Sequence, residues 1–397
     1  MTDTALSTLH AAIDRDAVAD LALRLVGAAS LSGQEGEVAA IVRDALAQLG
    51  FDVAVDRYGN VTGTLDAGPG PCLLLDSHMD TVGVTDPAAW TRDPAGEIAD
   101  GKLYGRGAMD MKGQLAACIH GIAALRGTLR CGRIVVSASI AEELAEGPAL
   151  LPVLEAARPD RVVICEATGL RLARAQRGRA EIVVEVGGSP THSARPELGV
   201  NAAEAMADAI HALRGIALPR HALLGEGILV LTDVISRPYP GLSVVPDRCV
   251  ATYDRRTLPG ESEEDVLGPL RAAVEAAVAP YGATGRVSIA VDRYDTYTGA
   301  HMEAPNFAPA WELDPDAPEL AAALTALRAA GIDRGLGHWA FCTNGSGSAG
   351  TLGLTTLGFG PGDEELAHRV DEHMDLDELA LGARGYAALG EALTGMA

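Results

Sequence analysis

The chain has 397 residues, of which 48% are hydrophobic and 21% are charged, and this composition is typical of a packed globular protein. At about 150 residues per domain, the length predicts two to three domains. Acidic side chains outnumber basic ones by 54 to 31, so the formal net charge is −23. A surface this acidic repels phosphate backbones and anionic lipid headgroups, which argues against nucleic acids and membranes as partners.

The sequence also lacks the signals of export and membrane insertion. No run of about 18 apolar residues occurs, which excludes a membrane-spanning helix, and the N-terminus lacks the basic start and apolar core of a signal peptide. None of the six cysteines stands at C-x-x-C spacing, so we expect reduced, mostly buried thiols rather than disulfides. Together these features predict a soluble cytoplasmic protein.

Helical and strand patterns alternate along the first 176 residues. Apolar spacing predicts helices at Ala17–Ala28, about Glu35–Leu49 and Gln114–Leu125. Short apolar runs predict strands at Phe51–Val55, Asn60–Leu65, Cys72–Leu75, Arg133–Ile140 and Arg161–Ile164. This alternation predicts an α/β domain with a mostly parallel central sheet, whose ligands bind at the carboxyl ends of the strands.

The pattern changes near Arg177. Residues 177–292 follow the order β-α-β-β-α-β, which is the ferredoxin-like split pattern and predicts an inserted α+β domain. Residues 293–397 are then expected to complete the first domain begun by residues 1–176. We expect the stretch Tyr294–Ala317, which contains several prolines, to be a loop.

Acidic residues and histidines stand directly after predicted strands or at helix entrances. His78, Glu143 and Glu166 follow three strands, Asp110 precedes a helix, and His368 follows a glycine-rich turn near the C-terminus. Taken singly, each has an ordinary alternative, such as a helix-capping aspartate or a hydrogen-bonded histidine at a strand end. Together they supply two imidazoles and three carboxylates, a suitable ligand set for a pair of zinc ions.

Five motifs carry a family resemblance: SHMDTV (77–82), GRGAMDMKG (105–113), AEE (141–143), CEA (165–167) and the late His368. In order and rough spacing they resemble the co-catalytic zinc amidases and peptidases that include acetylornithine deacetylase, succinyl-diaminopimelate desuccinylase, aminoacylase and glutamate carboxypeptidase. The stretches QRGRA (176–180) and FCTN (341–344) are similar to a branch of hydrolases linked to selenium metabolism. The resemblance implies a zinc-peptidase-type catalytic domain with an inserted lid and dimerisation domain.

Carried over residue by residue, the resemblance makes His78 and Glu166 ligands of one zinc ion. Glu143 and His368 would hold the second zinc, and Asp110 would bridge the two ions. Co²⁺ or Mn²⁺ in place of zinc remains open. The peptide bond after the bridging aspartate is often cis in this family.

Three further residues receive catalytic roles from the same resemblance. Asp80 would orient His78, and Glu142 would act as the general base that takes a proton from the attacking water. His192 matches a histidine of the inserted domain that reaches the oxyanion from the partner subunit, which implies a homodimer. A surface histidine in a loop is the alternative for His192.

Substrate contacts are expected from the second half of the chain. Arg256 stands where the family has an arginine for the substrate carboxylate, although a solvated arginine at a strand end is an equal alternative. Ser243 replaces the asparagine of many relatives, so the substrate itself can differ. The stretch from Gly345 to Gly350 has the G-x-G-x-x-G spacing, but strand-forming residues follow it, so we expect Asn344 and Gly345 to approach the substrate rather than a nucleotide.

The sequence therefore predicts a di-zinc hydrolase that cleaves the amide bond of an N-acyl amino acid or a similar small carboxylate-bearing amide. A dipeptidase or carboxypeptidase with the same metals is the alternative within the class. The alternative outside the class of hydrolases is a non-catalytic binding protein with the same fold. The presence of every expected metal ligand and of Glu142 argues against this alternative.

Overall fold

The computed structural model describes residues 13–396 and divides into two compact units. The first unit contains the chain up to Gln176, then Arg293–Met302, and then the chain from Glu312 onward. The second unit consists of Arg177–Asp292 and Glu303–Trp311. Along the sequence, the chain thus leaves the first unit after Gln176 and returns to it later.

The α-helices of the described chain are α1 Arg15–Gly27, α2 Gly36–Gln48, α3 Lys112–Ala123, α4 Leu151–Ala157, α5 Ala202–Arg214, α6 Glu263–Val278, α7 Pro318–Ala329 and α8 Leu376–Thr394. The strands are β1 Asp52–Val55, β2 Val61–Asp66, β3 Cys72–His78, β4 Glu97–Ala99, β5 Lys102–Tyr104, β6 Arg133–Ser139, β7 Arg161–Ile164, β8 Leu172–Gln176, β9 Gly178–Gly187, β10 Arg220–His221, β11 Gly225–Glu226, β12 Ile228–Arg237, β13 Arg248–Thr257, β14 Thr284–Ile289, β15 Val291–Asp295, β16 His301–Pro305, β17 Phe307–Ala308, β18 Trp311–Glu312, β19 Leu336–Trp339, β20 Thr355–Gly358 and β21 His373–Asp375. None of the described helices is both long enough and apolar enough to cross a membrane.

The main sheet of the first unit contains the strands β1-β2-β6-β3-β7-β20-β8 in that order, with β19 beside β8. The central strands β6, β3, β7 and β20 run parallel to one another, whereas β1 and β2 are antiparallel additions at one edge. Every residue of β3 is buried, as expected for a parallel strand that is covered on both faces. The α/β class with a mostly parallel central sheet is confirmed.

The second unit is built around the antiparallel order β12-β13-β9-β14. Alternate residues of β9, from Ala180 to Val186, point into a core that the helices α5 and α6 complete. Ser262 begins α6 with a capping box, in which its hydroxyl and the Asp265 carboxylate satisfy each other's backbone N–H groups. The observed order β9-α5-β12-β13-α6-β14 is the ferredoxin-like order.

One local prediction was wrong. The stretch Tyr294–Ala317 is not a continuous loop, because β15 and β16 form a two-stranded ribbon and β17 pairs with β9. Pro305 ends β16, at a position where a missing N–H costs no central ladder bond.

The strand-forming residues after Gly350 do contain a strand, β20. A π-helical turn at Ser346–Thr351, which was not predicted, precedes it.

All six cysteines are free thiols, and five of them are buried. Cys131 is the partly exposed member. This arrangement fits the prediction of reduced thiols, since no disulfide forms within the described residues.

Candidate metal centre

Three neighbouring parallel strands end at the same edge of the main sheet. His78 is the last residue of β3, Glu142 and Glu143 follow β6, and Glu166 follows β7. Because β3 lies between β6 and β7, with parallel pairing on both sides, these four side chains are brought together although they are far apart in sequence.

Asp110 and His368 complete the cluster from two loops. Oδ1 of Asp110 lies 3.0 Å from Nε2 of His78, and its Oδ2 lies 3.2 Å from Nε2 of His368. Glu166 Oε1 is 3.3 Å from Nε2 of His78, and Glu143 Oε1 is 3.1 Å from Nε2 of His368. The result is two triads, each with one imidazole and two carboxylates, that share the carboxylate of Asp110.

This donor set fits a pair of divalent ions. Donors on a tetrahedral zinc ion, each about 2.0–2.1 Å from the metal, lie roughly 3.3 Å from one another. The 3.0–3.3 Å separations between the imidazole nitrogen and the carboxylate oxygens of each triad are close to that value. The pattern of one shared carboxylate with one imidazole on each side is therefore suited to two adjacent ions, with Asp110 between them.

The two triads differ in their access to solvent. The side chain of His78 is 1% exposed, whereas that of His368 is 48% exposed. Glu166 and Glu143 are 7% and 10% exposed at their side chains. Within the first unit, the cluster is thus buried around His78 and exposed to solvent on the side of His368.

Asp80 supports the cluster in a different way from the one expected. Nδ1 of His78 lies 2.9 Å from the main-chain oxygen of Asp80 and 3.5 Å from its carboxylate, so the main chain is the nearer partner that fixes the imidazole. The carboxylate instead accepts hydrogen bonds from the backbone N–H groups of Glu142 (3.0 Å) and Glu143 (3.1 Å), and from the Ser32 hydroxyl (2.7 Å). Asp80 therefore fixes both the histidine and the paired glutamates.

Sequence reasoning missed Glu35, which holds the turn that carries the paired glutamates. Ala141 has a φ of 53°, a conformation that residues other than glycine seldom adopt. Its N–H donates to Oε1 of the fully buried Glu35, over 3.1 Å. Glu35 directly precedes α2 and carries no local sign of this role, so only the tertiary structure reveals it.

The glutamates of the cluster resist ionisation in the absence of a cation, whereas hydrogen bonds with His368 and His78 lower the pKa of Asp110 in spite of its burial. Burial, together with the negative charge of Asp110, raises the pKa of Glu166 to about 7. Burial also raises the pKa values of Glu142 and Glu143. Hydrogen bonds to Asp110 and Glu143 raise the pKa of His368 to about 10. A bound divalent ion would replace these protons and neutralise the carboxylates.

Glu142 lies beside the triad at His78. Its Oε2 is 3.7 Å from Nε2 of His78, farther than the oxygens of Asp110 and Glu166, although ligand atoms of His78, Glu142 and Glu166 all lie within 4.8 Å of one another. Its backbone N–H is held by Asp80, and its side chain is 9% exposed. A buried carboxylate with a raised pKa, placed beside the ligands, is suited to accept a proton and return it.

Three of the expected residues belong to the second unit. Nδ1 of the exposed His192 accepts the N–H of Ala194, over 3.0 Å, and the main chain of His192 forms an isolated bridge with Val244. The carbonyl of Ser243 accepts the N–H of the residue after His192, over 2.9 Å. His192 and Ser243 are thus neighbours within this unit.

Arg256 is held by an acid of its own strand. Its Nε donates to Oδ1 of Asp254, over 2.7 Å, and its Nη2 donates to Oδ2, over 3.3 Å. Its side chain is 28% exposed. Two of its guanidinium nitrogens are thus engaged by Asp254.

The side chain of Asn344, which was expected near the substrate, is used for hydrogen bonds inside the protein. Both of its amide N–H groups are used inside the protein, one toward Asp76 Oδ2 (2.9 Å) and one toward Ser139 Oγ (3.0 Å). Its carbonyl accepts the N–H of Gly147 over 2.7 Å. Gly345 is likewise buried, and its N–H donates to the Thr343 hydroxyl. Both residues anchor the π-helical turn to the sheet.

The comparison with known proteins places this geometry in a family. Residues 74–392 match peptidase family M20/M25/M40. The chain belongs to this family. It is 30% identical to YgeY of Escherichia coli (strain K12), a protein described as uncharacterized, over 92% of this chain and 91% of that protein. It is 32% identical to an acetylornithine deacetylase of Salmonella arizonae over 62% of this chain and 67% of that protein.

A solved member of the family shares the fold. The YXEP protein of Bacillus subtilis, described as a dinuclear metal binding peptidase from the M20 family, superposes with a TM-score of 0.71 at 16% identity. The match covers 96% of this chain and 98% of that one. The chain is thus an M20-family hydrolase with the architecture of that family, and the suspected relationship is confirmed. The Asp110–Met111 peptide bond is cis, as that relationship implied.

Proposed function

We propose that this chain is a two-metal amidohydrolase that removes the acyl group from an N-acyl amino acid or a similar small amide with a free carboxylate. The observation that carries the proposal is the pair of triads that share Asp110, with Glu142 beside them. The sequence relationship to an acetylornithine deacetylase supports deacylation, and the description of the YXEP protein as dinuclear supports two ions.

The ligands would be divided by triad. His78 and Glu166 would hold one ion, His368 and Glu143 would hold the other, and Asp110 would contact both. All donors are nitrogen or carboxylate oxygen, a set that suits Zn²⁺, Co²⁺ and Mn²⁺, and we propose Zn²⁺ as the native ion. When bound, a pair of such ions supplies Lewis acidity that activates water near neutral pH and polarises an amide carbonyl.

The protein groups perform the proton transfers and the orientation. Glu142 accepts the proton of the attacking water and later delivers it to the leaving nitrogen, a role worth about 10²- to 10⁴-fold in rate. Asp80 keeps the Glu142 main chain in place, which limits the positions that the carboxylate can take. In this proposal His192 donates a hydrogen bond to the oxyanion that develops in the partner subunit, and Arg256 binds the substrate carboxylate.

We also propose a homodimer, with the second copy on the edge strand β12. This strand lies at one edge of its sheet, and its apolar side chains Ile228, Val230 and Val234 are 40–50% exposed. An exposed, apolar strand edge is a template for pairing with another chain. Sedimentation of the purified protein should give twice the mass of one chain, and a monomer at micromolar concentration would contradict this part of the proposal. The free thiols support residence in the reducing cytoplasm.

A substrate panel tests the proposed activity. The Zn²⁺-loaded protein is assayed with N-acetyl and N-succinyl amino acids, and in parallel with dipeptides that have a free amino group. We expect higher kcat/KM for the acylated amino acids, because a dipeptidase must also accommodate an ammonium group. Preference for dipeptides would favour the peptidase alternative, and turnover of neither class would contradict amide hydrolysis as the function.

A further inference from the structure

Glu372 lies between the two loops that bring Asp110 and His368 together. It follows His368 by four residues, and its side chain is fully buried. Its Oε1 accepts the backbone N–H groups of Gly107 (2.9 Å), Met109 (2.9 Å) and Asp110 (3.2 Å). One carboxylate oxygen therefore fixes the main chain on the approach to Asp110 and at that residue itself.

The rest of Glu372 binds the start of the same loop. Its Oε2 pairs with the guanidinium of Arg106, which is also buried and packs against the ring of Trp90 at 5.5 Å from its centroid. The main-chain carbonyl of Glu372 accepts the N–H of Gly105 over 3.0 Å. The guanidinium of Arg106 is charged, and a hydrogen bond from a charged donor is about twice as strong as a neutral one, so Glu372 connects the two loops firmly.

We propose that Glu372 is a positioning residue that sets the place of the bridging carboxylate, and with it the ability of the site to hold two ions. The inference rests on the proposed function of the cluster as a metal centre. Asp110 has to present one oxygen toward His78 and the other toward His368, at 3.0 and 3.2 Å. Glu372 holds the backbone nitrogen of that same residue, and it stands on the chain segment that carries His368.

Glu372 acts through other residues and is not itself a ligand. Both of its carboxylate oxygens are engaged, one by three N–H groups and the other by Arg106. Groups that orient metal ligands typically contribute about 10- to 100-fold in metal affinity. Removal of this carboxylate would leave the loop N–H groups without their acceptor and Arg106 without its buried counter-charge.

The test compares three variants of the full chain with wild type. Glu372→Ala removes the carboxylate that accepts these hydrogen bonds, and Glu372→Gln keeps the side-chain volume and one acceptor oxygen but cannot carry a negative charge. Glu319→Ala is the matched control, because it breaks another largely buried ion pair, in which Arg161 Nε lies 3.2 Å from Glu319 Oε1. The readouts are the affinity for Zn²⁺ alone, by competition with a chromophoric chelator, and the melting temperature of the metal-free protein.

We expect Zn²⁺ affinity to fall by about 10- to 100-fold in Glu372→Ala and by about tenfold in Glu372→Gln. Glu319→Ala should keep wild-type affinity although its melting temperature falls. Wild-type affinity in both Glu372 variants, or an equal loss in the control, would overturn the inference. If the alanine variant does not fold, the Zn²⁺ affinities of Glu372→Gln and the control are compared instead, and wild-type affinity in Glu372→Gln would overturn the inference. A wild-type chain that binds no Zn²⁺ would instead overturn the proposed function.

Discussion

The neighbouring acids Glu142 and Glu143 should have different functions, although they are identical in type and adjacent in sequence. Glu143 Oε1 lies 3.1 Å from Nε2 of His368, inside a triad, whereas Glu142 Oε2 lies 3.7 Å from Nε2 of His78. The substitutions Glu142→Gln and Glu143→Gln are the matched perturbation, because glutamine keeps the volume of each side chain and removes its charge.

The expected magnitudes follow from these positions. Glu142→Gln should retain both ions and lose about 10²- to 10⁴-fold in kcat, which corresponds to about 3–5 kcal/mol of transition-state stabilisation. Glu143→Gln removes one of the three donors of the triad at His368. The affinity of this variant for the second ion should therefore fall by at least about 100-fold, which is more than the loss caused by changing a residue that only orients a ligand.

The assay is elemental analysis of each dialysed variant, together with kcat for the best acylated substrate of the panel. Folding is checked by circular dichroism, so that a loss of metal is not confused with a loss of structure. The same metal content and the same activity in both variants would refute this division of roles. Loss of an ion from Glu142→Gln would identify Glu142 as a ligand.

Three further predictions follow from the structure. Zn²⁺ binding at about pH 6 should displace protons from both Glu166 (pKa about 7) and His368 (pKa about 10), so the affinity for Zn²⁺ should rise with pH. At about pH 8.5 Glu166 has already ionised, so calorimetry in two buffers should show about one proton fewer released than at about pH 6. Equal proton release at the two pH values would contradict the assignment of these residues as ligands. Asp80→Ala should weaken Zn²⁺ binding about 10- to 100-fold, measured by chelator competition, because both glutamate N–H groups lose their acceptor; unchanged affinity would refute that role. Gly358→Ala should lower the unfolding free energy by about 1–3 kcal/mol in urea titration, because a Cβ there would lie 2.0 Å from the buried ring of Trp339; an unchanged midpoint would contradict that packing.

The ligand cluster could be predicted because it depends on a general property of parallel sheets. His78, Glu143 and Glu166 each follow an apolar strand, and the carboxyl ends of neighbouring parallel strands meet at one edge. Asp110 and His368 were also in the predicted set, but only the resemblance gave them defined roles, since a helix entrance and a late loop carry no information about their distance from that edge. The geometry brings all five within contact of one another or of a shared neighbour.

The residues that hold the ligands could not be predicted. Glu372 and Asp110 are separated by 262 positions, and nothing local marks Glu372 as the acceptor of three loop N–H groups. Asn344 was expected near the substrate because the glycine-rich loop that follows it was expected to approach the substrate, and the structure shows its amide in a buried network with Asp76. Side-chain networks of this kind depend on tertiary contacts, which neither periodicity nor spacing encodes.

The most direct test of the account is the metal content of the purified wild-type chain, measured by elemental analysis after saturation with Zn²⁺ and dialysis, and again after chelation, with amide hydrolysis followed in parallel. The two triads predict two ions per chain, loss of hydrolysis on chelation, and recovery when Zn²⁺ is added back. A chain that takes up no ion, or that hydrolyses amides equally well after chelation, would contradict the proposal of a two-metal hydrolase.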